Sequence, residues 1–173
     1  RSSDLRFITA KEDKDFAIDY YSIHKVIDYV KADYKTEQQC YVSGINCEPE
    51  FACMQMKKVK KMYNKENGIL AYHGFQSFKE GEVTPEQAHK IGIQLAEEMW
   101  GDRFQVVVST HLNTKHIHNH FVVNSVSFVD GKKFYSNRYS YGLMRHLNDE
   151  ICKEYKLSVL EEKECKKSHI NFG

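Results

Sequence analysis

Apolar positions recur with two periods along this chain, one near three and a half residues and one of two, and they mark out its elements. Residues 1 to 15 are polar and mixed in charge, after which Phe16 to Ile23, rich in β-branched and aromatic residues, reads as a strand. From His24 the apolar positions Val26, Ile27, Val30 and Tyr34 recur at spacings near three and four, which predicts a short amphipathic helix with Tyr29 beside its apolar face. Tyr41 to Ile45 suits a short strand or an ordered loop. Asn46 can cap and Pro49 sits near a first helical position, so a helix is expected over about residues 49 to 64. Gly68 closes that region, and Ile69 to Phe78 reads as a strand whose positions 73, 75 and 77 share one face. Thr84-Pro85-Glu86-Gln87 supplies a cap, a first-turn proline and a glutamine at the third position, which starts a helix running to Trp100. Phe104 to His111 and His118 to Phe128 are β-rich runs separated by a short polar segment, and Asp130-Gly131 turns the chain back into Lys132 to Tyr135. Neighbouring antiparallel strands follow from that pattern. A helix over about Tyr141 to Tyr155, a strand candidate at Leu157 to Leu160 and a charged tail complete the chain. The order predicts an α+β fold, a central, mostly antiparallel five-stranded sheet covered by helices.

Composition narrows the function without naming it. The chain has 173 residues, 41% hydrophobic and 28% charged, which is enough for one domain with a real core and excludes a disordered tail. We expect that domain over residues 1–160, with 161–173 a charged tail leading into a further region. The longest apolar stretches are a few residues, such as Val106-Val107-Val108, against the roughly 20 needed to cross a bilayer, so no membrane insertion is expected. The start, Arg1-Ser2-Ser3-Asp4, has no apolar core behind it and no initiator methionine, so no secretory signal is read there and the true start can lie upstream. Five cysteines without a CxxC speak against a disulfide framework and a zinc ribbon, and make a reducing cytoplasm the default. The net charge is +1, so any affinity for nucleic acid must be local. Lys57, Lys58, Lys60 and Lys61 read as a solvated helix face or, less often, a phosphate rail; Lys132, Lys133 and Arg138 form a smaller basic stretch.

Four of the nine histidines fall between Thr110 and His120. On a strand starting near residue 117, His118 and His120 project to one face while Ile117, Asn119 and Phe121 project to the other. If the preceding strand ends at His111 and the chain turns back, His111 returns opposite His118 and its ring converges with the other two. Three neutral imidazoles suit a divalent transition metal and leave coordination positions open for water or a phosphate oxygen. His116 falls in the turn or on the opposite face. His73 shares a strand face with Ser77, and a packed or surface histidine is the better reading of it. Asn124 continues the His118 and His120 face, where an amide can orient a ligand, contact a nucleotide, or simply end a strand.

These residues, with the tyrosine-bearing N-terminal helix, resemble the relaxases, the mobilisation endonucleases of bacterial conjugative plasmids and integrative elements. The resemblance runs through Val26-Ile27-Asp28-Tyr29-Val30 and Lys35-Thr36, then Val42 to Cys47, then His73 through Ser77 to Ala88, and ends in Thr110-His111 through His118-Asn119-His120 to Asn124-Ser125-Val126. It covers roughly residues 24 to 160 and is nearest to the Gram-positive branch of the VirD-type group. Relaxases belong to the HUH endonucleases, whose third motif is H-x-D-x4-H-x-H; His111, Asn113, His118 and His120 occupy its places. Two departures stand out. Asn113 replaces the motif's Asp, and Asn119 replaces the usual hydrophobic residue between the paired histidines, whereas His116-Ile117-His118 has a hydrophobic centre and offers a second register.

The resemblance implies a mechanism. Tyr29 would be the nucleophile on single-stranded DNA at an origin of transfer, leaving a 5′-phosphotyrosyl link and a free 3′-hydroxyl. His111, His118 and His120 would hold a divalent metal, Mn²⁺ or Mg²⁺. Ser77 and Lys35 would contact the DNA, and accessory relaxosome proteins and a type IV coupling protein would be partners. Tyr34, Lys35 and Tyr41 form a plausible path of aromatics and charge toward Tyr29. By spacing alone, Tyr34, Tyr41 and Tyr63 rival Tyr29. Rival functions are a rolling-circle replication initiator, a hydrolase in which metal-bound water attacks, and a DNA-binding module in which Asn113 marks a decayed site.

Overall fold

The computed structural model describes the backbone of residues 4–8 and 40 and all of residues 41–112 and 116–157. Five strands form one antiparallel sheet: β1 (Asp4–Ile8), β2 (Cys40–Ile45), β3 (Ala71–Ser77), β4 (Val106–His111) and β5 (His118–Asn124), in the spatial order β1-β3-β5-β4-β2. Among the described residues three helices accompany it: α1 (Ala52–Met62), α2 (Pro85–Trp100) and α3 (Arg138–Glu154). The expected class, helices on a mostly antiparallel five-stranded sheet, is what forms.

The interior strand β4 is buried along its whole length, as an unbroken Val106-Val107-Val108 run covered on both faces requires. One face receives α2 and α3. Ala88, Ile91, Gly92, Leu95, Ala96 and Trp100 recur at helical spacing on α2, and Ile91, Leu95 and Trp100 join Met144 and Ile151 of α3 over Val106, Val108, Phe121 and Val123. On the other face α1 lays Ala52, Cys53 and Met56 against Ala71, Val107 and Val122. Helix α2 starts where its capping box dictates: Thr84 Oγ1 accepts from the Gln87 amide at 3.2 Å, and Gln87 Oε1 accepts from the Thr84 amide at 3.1 Å.

Several expectations shift. A strand forms at Asp4–Ile8, inside the stretch read as polar, where Leu5 and Phe7 alternate with Asp4 and Arg6 in the manner of a charged edge strand. The helix expected over about residues 49 to 64 divides into a 3-10 turn, Pro49–Phe51, and α1. Asn46 does not cap it. At φ +59° its side chain instead donates to the carbonyls of Gly101 (2.6 Å) and Phe104 (3.0 Å) and ties β2 to the end of α2. Helix α3 begins three residues before the expected Tyr141, because Asn137 and Ser140 form a reciprocal cap at 2.8 and 2.9 Å. β5 ends at Asn124 rather than Phe128, and Lys132 to Tyr135 contributes only the bridge Val126 to Lys133. The Asp130-Gly131 turn is present, with Gly131 at φ +70°, and the Tyr63 ring lies where a Cβ would stand. The strand expected at Phe16 to Ile23 and the helix after His24 lie outside the described residues. So does the strand candidate at 157–160 beyond Leu157, which itself lies outside any strand.

Candidate metal centre

Pairing of β4 with β5 puts His111 opposite His118 and Ser109 opposite His120, the antiparallel return that makes the histidines converge. Alternation places Val107, Ser109 and His111 on one face with His118, His120, Val122 and Asn124, and the β3 register adds His73, Phe75 and Ser77. The His111 and His118 rings stack at 5.2 Å, and His120 stands edge-on to both at 4.6 and 4.8 Å. One nitrogen from each ring lies within 4.8 Å of the others. His116 is exposed and outside this trio, so the histidine pair flanking Asn119 supplies the cluster.

The protons on these rings follow from their partners. His118 Nδ1 lies 3.1 Å from the His116 carbonyl, which only accepts, so Nδ1 donates there and Nε2 is the nitrogen left for a ligand. His120 Nδ1 lies 3.0 Å from His73 Nε2, which leaves His120 Nε2 for a ligand. Phe75 closes the other side of this pair, its ring 4.4 Å from His73 and 4.7 Å, edge-on, from His120. Burial, and then the proximity of the other histidines, pushes His73 down to about 4 and His120 to about 2. Both rings are therefore neutral at pH 7. An all-imidazole donor set in which His120 is neutral fits a divalent transition metal.

Asn119 points away from the histidines into the α2 layer, and that explains its presence. Its amide donates to Gln76 Oε1 (2.9 Å) and the Ala88 carbonyl (2.8 Å), and its oxygen accepts from Thr110 Oγ1. Since the Thr110 hydroxyl proton goes to Asn119, Thr110 accepts from His89 Nδ1 (2.7 Å), and His89 Nε2 then accepts from Ser43 (2.7 Å). Burial holds the His89 ring below its ordinary value, in keeping with this neutral form. Gln76 continues the chain to Asn148 of α3. A buried polar network thus pins β4, β5 and β3 in the register that aligns the histidines on the opposite face.

The other expected site residues fare differently. Ser77 is half-buried on the histidine face, its backbone paired with His118. Asn124 shares that face by parity but lies at the far end of the strand, 0% exposed beneath α1. It accepts from the Lys60 ammonium and donates to Gln105 Oε1 (2.9 Å) and the Met56 carbonyl (3.4 Å), so it is a structural amide and not a nucleotide contact. Tyr41 pairs with Thr110 on the opposite face, where it donates to Glu86 and packs on His89, so it is no part of a path across the histidine face. Tyr29, Tyr34, Lys35 and Asn113 lie outside the described residues. Sequence reasoning undervalued His73. The shared parity of 73, 75 and 77 was its signal, once β3 is known to lie beside β5.

Residues 21–157 match the family model described as the MobA/VirD2-like relaxase nuclease domain. A Staphylococcus aureus protein rlx is 43% identical over 140 residues, covering 81% of this chain and 42% of that protein. The group II intron-interrupted relaxase LtrB of Lactococcus lactis is 42% identical over 71 residues, 40% of this chain and 13% of that protein. A solved structure described as the molecular basis of vancomycin resistance transfer in Staphylococcus aureus superposes with a TM-score of 0.63 at 12% identity, over 92% of this chain and 96% of its own, and shares the fold. The chain spans about two fifths of the length of the rlx protein it matches. Among the described residues no helix is long and apolar enough to cross a membrane.

Proposed function

Because the chain belongs to the relaxase family with the MobA/VirD2-like nuclease domain, we propose that it nicks single-stranded DNA at an origin of transfer in conjugative mobilisation, with Tyr29 as the attacking residue. The observation that carries this reading is the convergence of His111, His118 and His120 from paired strands, with Ser77 beside them. These three imidazoles would hold the metal, and nitrogen donors favour Mn²⁺ over Mg²⁺. When bound, the cation polarises the scissile phosphate and stabilises the charge of the pentacovalent transition state.

The rest falls to the chain. A phenol of pKa near 10 is a weak nucleophile at neutral pH and acts only against an activated phosphate held in line. As the Tyr29 oxygen bonds to phosphorus, the bond to the 3′ oxygen breaks, the phenol gives up its proton and a 3′-hydroxyl leaves. One ester replaces another, so the step is reversible and the strand can be rejoined. His73 and the His116 carbonyl hold the ligand rings in orientation, while Ser77 and Lys35 position the strand. Accessory relaxosome proteins and a type IV coupling protein are the partners this role requires, in the bacterial cytoplasm.

The test is a denaturing gel of the protein with single strands from its own transfer-origin region, in Mn²⁺ or EDTA, beside Tyr29→Phe. A metal-dependent protein–DNA adduct lost in the variant supports the reading. Cleavage to a free 5′-phosphate with no adduct replaces tyrosine attack by water attack.

A further inference from the structure

The second basic stretch of the sequence meets Lys65 in the folded chain. Asn64, Lys65 and Asn67, in the connection from α1 to β3, face Lys132, Lys133 and Tyr135, in the segment after β5, across an open cleft of about 540 Å³. The lysines are placed rather than loose: Lys65 donates to the Gly131 carbonyl, and Lys133 donates to the Asn67 carbonyl at 2.9 Å, so each reaches across to the other wall. Among the described residues no acidic side chain lines the cleft. The nearby Asp130 is engaged by a two-pronged Arg103 contact at 2.9 Å and by the Lys132 amide, and Glu66 of the same connection does not line it. Tyr135 stands at the rim with 68% of its surface exposed, a ring the core does not use. The Lys133 charge also contributes to lowering the pKa of the buried Lys60 amine.

This cleft adjoins the Ala71 and Asn124 end of the sheet, whereas the histidines lie at the Ser77 and His118 end. At about 3.4 Å per residue along β3 the two are separated by about 20 Å, a span that roughly six stacked nucleotides cover. Placed cations with an exposed aromatic ring and no acid are the chemistry of a single-strand rail: charge tracks phosphates, and the ring stacks a base. Resting on the nicking function above, we propose that this cleft is a second DNA site, which grips the phosphodiester backbone of the strand flanking the cut and stacks a base on Tyr135.

The experiment is fluorescence anisotropy with labelled single strands of about 30 and about six nucleotides, from about 50 to 200 mM salt. It uses the wild type, Lys65→Gln/Lys132→Gln/Lys133→Gln, and Lys132→Gln/Tyr135→Ala, whose exposed side chains the fold does not need; Mn²⁺ titration verifies that each variant keeps its histidine centre. The wild type should prefer the longer strand. The triple variant should lose about tenfold in affinity for it, with the slope of log affinity against log salt shallower by about 2, as three fewer phosphates neutralised at about 0.7 each require. Loss of stacking should weaken Lys132→Gln/Tyr135→Ala about fivefold or more. Unchanged affinity and slope in both folded variants overturns the cleft proposal, and if such variants still cut transfer-origin strands the nicking function stands without it. A wild type that neither binds nor cuts single strands overturns both.

Discussion

Gly92→Ala sets two effects of known size against each other. Gly92 lies in the middle of α2, where replacing glycine by alanine on an exposed helix face gains roughly 1 kcal/mol from the reduced entropy of the unfolded chain. Here the new methyl would stand 2.6 Å from Asn119 Nδ2, 2.9 Å from its Cγ and 3.1 Å from Val108 Cγ1. Asn119 has nowhere to retreat, because its amide is held by the Ala88 carbonyl at 2.8 Å and Gln76 Oε1 at 2.9 Å. Overpacking costs about 1–3 kcal/mol, and each buried polar group left without a partner adds about 1–3 kcal/mol. The clash therefore outweighs the propensity gain, and we expect a net loss of about 2–4 kcal/mol in urea unfolding, read from the midpoint at unchanged slope. A double-mutant cycle isolates the cause. In an Asn119→Ala background the same substitution should be at least about 1 kcal/mol less harmful, since the atoms it strikes are gone. Asn119 sits between His118 and His120, so Mn²⁺ affinity should fall with stability in the single variant. Gly92→Ala as stable as the wild type, or an additive cycle, would refute the argument that this amide pins the histidine register.

Three further outcomes follow from the same geometry. His73→Phe removes the hydrogen-bond partner of His120 Nδ1 and should weaken Mn²⁺ binding by about 10- to 100-fold in calorimetric titration while the melting temperature changes little; an unchanged affinity would show that His73 merely packs. Burial holds the Lys60 amine down at about 7, against 10.5 in the unfolded chain, so between those values the unfolded state binds more protons and stability rises with pH by up to ~5 kcal/mol. That rise should be much reduced in Lys60→Met, and an identical pH profile in the variant would contradict a buried amine. His89 is held below its ordinary value by burial, so its contribution to stability is present above about pH 6.5 and is lost as pH falls below that; His89→Gln should flatten this part of the acid limb in chemical unfolding, and a limb as steep as the wild type's would count against the neutral ring.

What could be read beforehand was local. The Thr84 capping box fixes the start of α2, and the period of two, joined to a tight return, places His111 opposite His118 without knowledge of the remaining strands. What escaped depends on what covers a face. Parity correctly put Asn124 on the histidine side, but only the folded chain shows that α1 lies over that end and that Lys60 reaches it. Tyr41 failed for the same reason, since its face is decided by pairing with Thr110. The Lys57 to Lys61 run looked like one solvated face. Helical spacing splits it, with Lys60 turned inward alongside Met56 and Val59 while Lys57, Lys58 and Lys61 face out. β1 is five residues long with two charges, and its identity as a strand comes from β3 beside it rather than from its own pattern. The departure at Asn119 is resolved by a network drawn from four strands and two helices, whose members are scattered from Ser43 to Asn148.

Whether His111, His118 and His120 form one metal centre is tested by direct titration with Mn²⁺, without any knowledge of the DNA site. Calorimetry or Mn²⁺ electron paramagnetic resonance on the wild type and on His111→Ala/His118→Ala/His120→Ala gives the answer. One bound ion per wild-type chain is expected, and none in the folded triple variant. A wild type that binds no divalent metal, or a triple variant that binds it as well, would contradict it.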